Sequence, residues 1–257
     1  MNSQETWIAF STILTKEIRR FLRIWMQTLL PPAITTGLYF VIFGTLIGSR
    51  IGEMQGYSYI QFVVPGLVMM SVLTNSYSNV VSSFFSNKFQ HSIEEVLVAP
   101  VPNWAILAGY VAGGVARGIC VGIVVTILSL FFSKLHVQHW LIMISAVLLT
   151  SVLFSLLGLL NAIFAKNFDD ISIIPTFVLT PLTYLGGVFY SIDLLPPFWK
   201  ALSQLNPILY MVNAFRYGML GISDVNVSAS LGMIALFSCI ACVVALRLLN
   251  SSKGLRS

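Results

Sequence analysis

The chain has 257 residues, of which 57% are hydrophobic and only 9% charged, whereas soluble domains carry roughly 25% charged residues. So much apolar surface cannot hide behind so thin a polar shell, which makes lipid the solvent and an all-α integral membrane protein the expected fold. A net charge of +5 makes no case for nucleic acid, and Cys120, Cys239 and Cys242 all lie in apolar runs, so no disulfide framework is implied. Cys239 and Cys242 have C-x-x-C spacing but lack the further ligands that a zinc site needs.

Before the first long apolar run, Leu14, Ile18, Phe21, Leu22 and Trp25 recur at helical spacing, with Lys16, Arg19, Arg20 and Arg23 on the opposite face. This predicts an interfacial helix over about 5–26, its basic side anchored at the anionic headgroups. The other reading is a basic stop ahead of a membrane span, and both place this end inside. Basic residues ahead of the apolar core are unlike a cleavable signal, so the segment is expected to be retained. Six apolar runs then approach the ~20 residues of a membrane span: about 28–48, 59–83, 104–132, 140–164, 171–191 and 228–249. With both termini inside, Lys16, Arg19, Arg20, Arg23, Lys88, Lys166, Arg247, Lys253 and Arg256 are cytoplasmic. Arg50, Lys134, Lys200 and Arg216 lie outside, a distribution that follows the positive-inside rule.

Two connections are too long to be turns. In the cytoplasmic loop 84–103, Ser92 and Glu95 have the spacing of a capping box, and Pro100 and Pro102 end the helix that it opens. A short capped helix is expected there, with apolar residues in need of a cover. The outer segment 192–227 is apolar and aromatic but broken by prolines, as in a re-entrant or interfacial element, with Trp199 and Tyr210 at the interface level. Two extra spans are the alternative for this stretch.

The third run carries Arg117, the one charge predicted inside a span. Such a charge faces a cavity, a partner chain or carbonyls, unless the helix starts later or the side chain snorkels. Gly109, Gly113, Gly114, Gly118 and Gly122 around it have the four-residue spacing of close helix contacts, within one subunit or between two. His136 and His139 read as a solvated pair near a helix end rather than a metal site. All nine acidic residues fall at ends and connections: Glu5, Glu17, Glu53, Glu94, Glu95, Asp169, Asp170, Asp193 and Asp224. That weighs against ion-coupled transport, which buries a carboxylate within a span. No lysine is followed by Ser or Thr, so the chain has no P-loop of its own.

Three patches carry a resemblance. The first is Lys16-Glu17-Ile18-Arg19-Arg20-Phe21-Leu22-Arg23 leading to Leu30-Pro31-Pro32. The second is Ile93-Glu94-Glu95-Val96-Leu97-Val98-Ala99-Pro100-Val101. The third joins Gly186-Gly187-Val188-Phe189-Tyr190, Leu195-Pro196-Pro197-Phe198-Trp199 and Leu205-Asn206-Pro207 through to Arg216. In these the chain resembles the permease subunits of ABC-2-type ATP-driven transporters, over nearly its whole length. The resemblance implies a single domain over 1–257 with six membrane helices, a flat N-terminal helix and a re-entrant outer element before the last helix. It implies a homodimer in a bacterial cell inner membrane, bound to two copies of a separate ATPase and working as an exporter. The chain itself is then not an enzyme and needs no cofactor. By the same resemblance the helix after the second span docks into the ATPase, and Ser92, Glu94, Glu95 and Val96 are the coupling candidates. For the path, Tyr77, Asn79, Arg117, Tyr184 and Phe189 are the candidates, on the second, third and fifth runs. The substrate cannot be read. A secondary transporter or channel would need a mid-membrane ion site, and only Arg117 qualifies; a non-transporting scaffold is the other rival.

Overall fold

The computed structural model describes residues 2–134 and 137–251, apart from the side chains of Thr45, Val96 and Leu97. The chain is an all-α membrane protein whose architecture reflects where its helices are forced to stop. The first helix, α1 (Ser3–Arg23), starts with a capping box between Asn2 and Glu5. Its packed face shares Phe21 with the apolar one that the helical spacing suggests but leaves Leu22 and Trp25 exposed. Ile13, Glu17 and Phe21 recur every four residues and turn inward together.

The backbone breaks at Ile24 and again at Leu29, the second time because Pro31 and Pro32 have no N–H to offer the carbonyls of Gln27 and Thr28. The rod continues as α2 (Trp25–Ile51), widened into a π-helix at Phe40–Ile47. A two-stranded hairpin comes next, β1 (Glu53–Met54) and β2 (Tyr57–Ser58), with Glu53 opposite Ser58 and Met54 opposite Tyr57. Its two turn residues, Gln55 and Gly56, have φ of 52° and 82°, the left-handed pair that a tight hairpin requires. Ser58 and Gln61 then form a capping box for α3 (Tyr59–Phe89).

Helix α3 is the axis of the bundle, and 78% of its most apolar window is buried. Around it pack α5 (Asn103–Ser129), α6 (Trp140–Phe164) and, further on, α9 (Pro207–Leu220). Lipid is as apolar as leucine, so these contacts hold by close packing, and the glycines of α5 provide it within the subunit. A Cβ at Gly113 would come within 2.5 Å of Glu17 Cβ on α1, and one at Gly114 within 2.6 Å of Val80 on α3. By contrast only 12% of the corresponding window of α2 is buried, so α2 forms a sparsely packed edge.

Among the described residues, five helices are long and apolar enough to cross a membrane: α2, α3, α5, α6 and α10 (Val227–Ser251). The run expected at 171–191 gives a shorter helical rod, α7 (170–184), part of it π-wound over Ile174–Leu179. At 1.5 Å per residue it is about 22 Å long, less than the ~30 Å of a hydrocarbon core. It ends just before Gly186 and Gly187, and Gly187 takes φ of 69°, which turns the chain; α7 still runs from the end of the bundle where Ile171 meets Asn161 to the opposite end, where Gly187 meets Arg216. The next segment leaves and returns to one end of the bundle. Ser191 and Ile192 bond the side chain of Asp224, and Leu220 O accepts from Tyr57. Between them come α8 (Pro197–Gln204) and Asn206, which reaches back to Leu182 O at 2.5 Å.

Candidate functional site

The helix α4 (Ser92–Val98) sits just beyond the end of α3. Its start differs from the capping box expected at Ser92: the N-cap is His91, held at φ of 58°, and Ser92 already lies inside the helix. The Ser92 hydroxyl instead turns back to Asn87, donating to its main-chain oxygen at 3.2 Å. His91 Nδ1 lies 3.2 Å from Glu94 Oε1, and no side chain caps the helix start. Ile93 is fully buried and pins α4 to the bundle, while Glu94 and Glu95 face outward and Val98 is 86% exposed. The Val96 side chain lies outside the described residues.

Asn87 and Lys88, at the foot of α3, tie α4 to the rest. Asn87 Nδ2 donates to Tyr110 Oη on α5 at 2.7 Å, and its Oδ1 accepts from Lys16 Nζ on α1 at 3.4 Å. Lys88 Nζ donates to the carbonyls of Ile163 and Ala165 at 2.6 and 2.9 Å, capping the C-terminal end of α6 with a cation, where the helix dipole favours one. Asn87 therefore links α4 to α1 and α5, and Lys88 beside it fastens the foot of α3 to α6. Sequence reasoning passed over Asn87, whose significance lies entirely in its partners.

A second polar cluster fills the seam of α1, α3 and α5. Glu17 is fully buried rather than lying in a connection as expected, because Gly113 leaves room for its stem. Its carboxylate accepts from Ser83 Oγ at 2.6 Å and pairs with Arg20 at 3.4 Å. Arg20 turns into the protein, away from the headgroups expected for it, and donates to both the main-chain and side-chain oxygens of Asn79 at 2.9 Å.

One helical turn along α3 from Asn79, Asn75 receives a second guanidinium. Arg117 Nη2 donates to Asn75 Oδ1 at 3.0 Å and to Thr28 O at 3.5 Å. Thr28 O is free to accept because Pro32, four residues on, has no N–H. Arg117 stands near the midpoint of α5 and at the back of a cleft of about 310 Å³ between α2, α3 and α5. Gln27, Thr35 and Thr74 are exposed at its mouth, Thr74 at the middle of α3. Exposed polar side chains at that depth have no partner in hydrocarbon; they suit a path or a covered interface.

The end of the bundle opposite α4, the outer end in the topology expected from the sequence, is closed differently. Arg216 on α9 is fully buried. It donates to Gly187 O at 2.6 Å, stands 3.9 Å from the Asp224 carboxylate, and lies 3.9 Å over the ring of Phe62. Asp224 also accepts from Gln55 and Ser191, each at 2.7 Å. The hairpin, the loop after α7, and α9 are thus fastened to one carboxylate.

A membrane bundle with an exposed short helix at one end and a polar mid-span cleft has the parts of a transport subunit, and similarity to known proteins specifies which kind. Residues 8–220 match the family described as ABC-2 type transporter. The chain belongs to the ABC-2 type transporter family. It is 61% identical over 98% of both chains to the "Inner membrane transport permease YadH" of Escherichia coli K12, and equally to that of Shigella flexneri. It is also 24% identical, over 83% of both chains, to "Nodulation protein J" of Rhizobium leguminosarum bv. viciae. As an ABC-2 protein it is the membrane subunit of an ABC transporter. The residues singled out for an ABC-2 path do not all meet. Arg117 lines the cleft. Phe189 packs with Tyr184, Tyr39 and Phe43 in an aromatic cluster toward the outer end of the same α2 edge, and Tyr39 also lines the cleft. Tyr77 and Asn79 lie elsewhere: Tyr77 Oη accepts from Asn161 on α6 at 2.7 Å, and Asn79 serves Arg20. Of the basic residues expected at the headgroups, Lys16, Arg19 and Arg23 are exposed, Lys16 reaching Asn87 on α3, whereas Arg20 turns inward to Asn79. His139 stacks on Tyr217 at 4.8 Å, and His136 lies outside the described residues, as do Lys253 and Arg256. The lining residues Gln27, Thr35, Thr74 and Asn75 went unread. The polar repeat Ser71, Asn75, Asn79 and Ser83 along α3, one residue per turn, was the signal that pointed to Asn75.

Proposed function

We propose that this chain is the membrane half of an exporter of the cell inner membrane, acting as a homodimer with two copies of a separate ATPase. The observation that carries the reading is α4: a short helix anchored by Ile93, offering Glu94 and Glu95 outward, and tied through Asn87 and Lys88 to α1, α5 and α6. A push on α4 then moves α3 with its neighbours as a body. The polar cleft on the sparsely packed α2 edge is where that movement changes access, with a second copy covering it. The segment 192–227 acts as the re-entrant outer closure, α1 lies along the cytoplasmic surface with Arg19 and Arg23 toward the headgroups, and both termini are cytoplasmic. Outward direction is carried over from the family likeness, and the names of the YadH relatives support the inner membrane.

The test is gentle purification from native membranes, followed by identification of co-purifying chains and an ATP hydrolysis assay. A stoichiometric P-loop partner is expected. Glu94→Arg should cut its stimulation by this subunit several-fold without changing insertion, since an acidic contact becomes a like-charge or unpaired one. Full stimulation in that variant would remove α4 from the coupling role, and isolation of the chain alone and inactive would remove the ATPase.

A further inference from the structure

The function proposed above leaves the substrate's chemistry open, and Arg117 narrows it. Two guanidiniums, Arg20 and Arg117, are seated one helical turn apart along α3, on Asn79 and Asn75. One carboxylate, Glu17, accompanies them, and it is already shared between Arg20 and Ser83. Among the described residues Arg117 has no ion pair, and the lining of its cleft contains no Asp or Glu. Its Nε is buried without a hydrogen-bond partner. A charge at mid-span without a counterion is costly, and a planar guanidinium with unused N–H groups matches a phosphate or carboxylate. The rest of the lining suits that role: Ser71, Thr74 and Gln27 can donate to an anion, while the adjoining surface of α2 is apolar and exposed at Ile34 and Leu38.

We infer that the cleft between α2, α3 and α5 binds the anionic head of an amphipathic molecule, with Arg117 as its principal partner and the apolar part lying along α2. This rests on the permease reading for its role in transport, but the binding can be measured without any ATPase, so the two can fail separately.

The probe is dodecyl phosphate, added to the full chain in neutral detergent and read by thermal stabilisation, with dodecanol as the uncharged counterpart. Dodecyl phosphate should stabilise the wild type in a saturable way and dodecanol should not. Arg117→Gln should weaken the apparent affinity at least about tenfold, the scale of one lost charge-assisted pair, Arg117→Lys less, and Arg50→Gln, exposed at the far end of α2, not at all. Inorganic phosphate alone would distinguish the sources. If it competes with dodecyl phosphate, a free anion suffices; if it does not, the head must arrive attached to a chain, as in a lipid. Equal response of the wild type to dodecyl phosphate and dodecanol would overturn the site even if the Arg117 variants failed to fold. So would an equal loss of affinity in Arg50→Gln and Arg117→Gln, or none in Arg117→Gln.

Discussion

Arg216 at the outer end meets a carboxylate, a main-chain carbonyl and an aromatic face. Arg117 at mid-span meets one amide oxygen and one carbonyl, and opens on a cleft. Both are arginines among apolar helices, yet the charge of the first is compensated from within and that of the second is not. A compensated buried ion belongs to the architecture, because removing either partner strands the other. An uncompensated one on an open cleft contributes little to the fold, and its cost is consistent with a ligand that supplies the missing charge.

The contrast predicts its largest effect at the outer end. Arg216→Ala strands Asp224, whose side chain is itself fully buried and holds Gln55 and Ser191. Unfolding in denaturing detergent should show a loss of about 3–5 kcal/mol, and Arg216→Ala with Asp224→Asn should recover part of it. A loss below about 1 kcal/mol would mean that the carbonyl and the ring, not the ion pair, hold this end.

Glu17 offers an intermediate case. Glu17→Gln keeps an acceptor for Ser83 but removes the charge beside Arg20, which is partly exposed and partly held by Asn79. The expected cost is about 2–3 kcal/mol, at or below the range for a broken buried pair, measured in the same assay. The variant sharpens the comparison by turning Arg20 into a second Arg117. If stability is unchanged, Asn79 alone compensates a guanidinium in this seam.

How far these pairings could be read from the sequence depends on how local their causes are. The long apolar runs were legible because a span is a property of twenty consecutive residues, and α4 was legible because Pro100 and Pro102 punctuate it. Arg117 stood out as a charge in an apolar run. Glu17 did not, because a helical wheel ranks a carboxylate as solvent-facing and cannot see that Gly113, ninety-six positions on, has left it a place. The rod α7 was drawn out to residue 191 because hydropathy runs on through Gly186 and Gly187, where the backbone turns. The capping box at Ser92 matched a spacing rule, but the left-handed His91 moved the helix start by one residue. Arg216 and Asp224 were both visible as outer charges; that they meet depends on the loop between them folding back.

The smallest effect on stability is expected at Arg117, and it discriminates most. Arg117→Gln removes two hydrogen bonds whose net worth is about 1 kcal/mol each, and at the same time removes the cost of holding a lone charge at mid-span. The two terms oppose, so the variant should lie within about 1 kcal/mol of the wild type in the assay used for Arg216→Ala. That near-neutrality is what separates a guanidinium kept for a ligand from one kept for the fold. If Arg117→Gln instead lost as much as Arg216→Ala, the two arginines would be alike. The bonds to Asn75 and to the carbonyl freed by Pro32 would then be the reason for the charge, and the cleft in front of it a by-product of the break in α2.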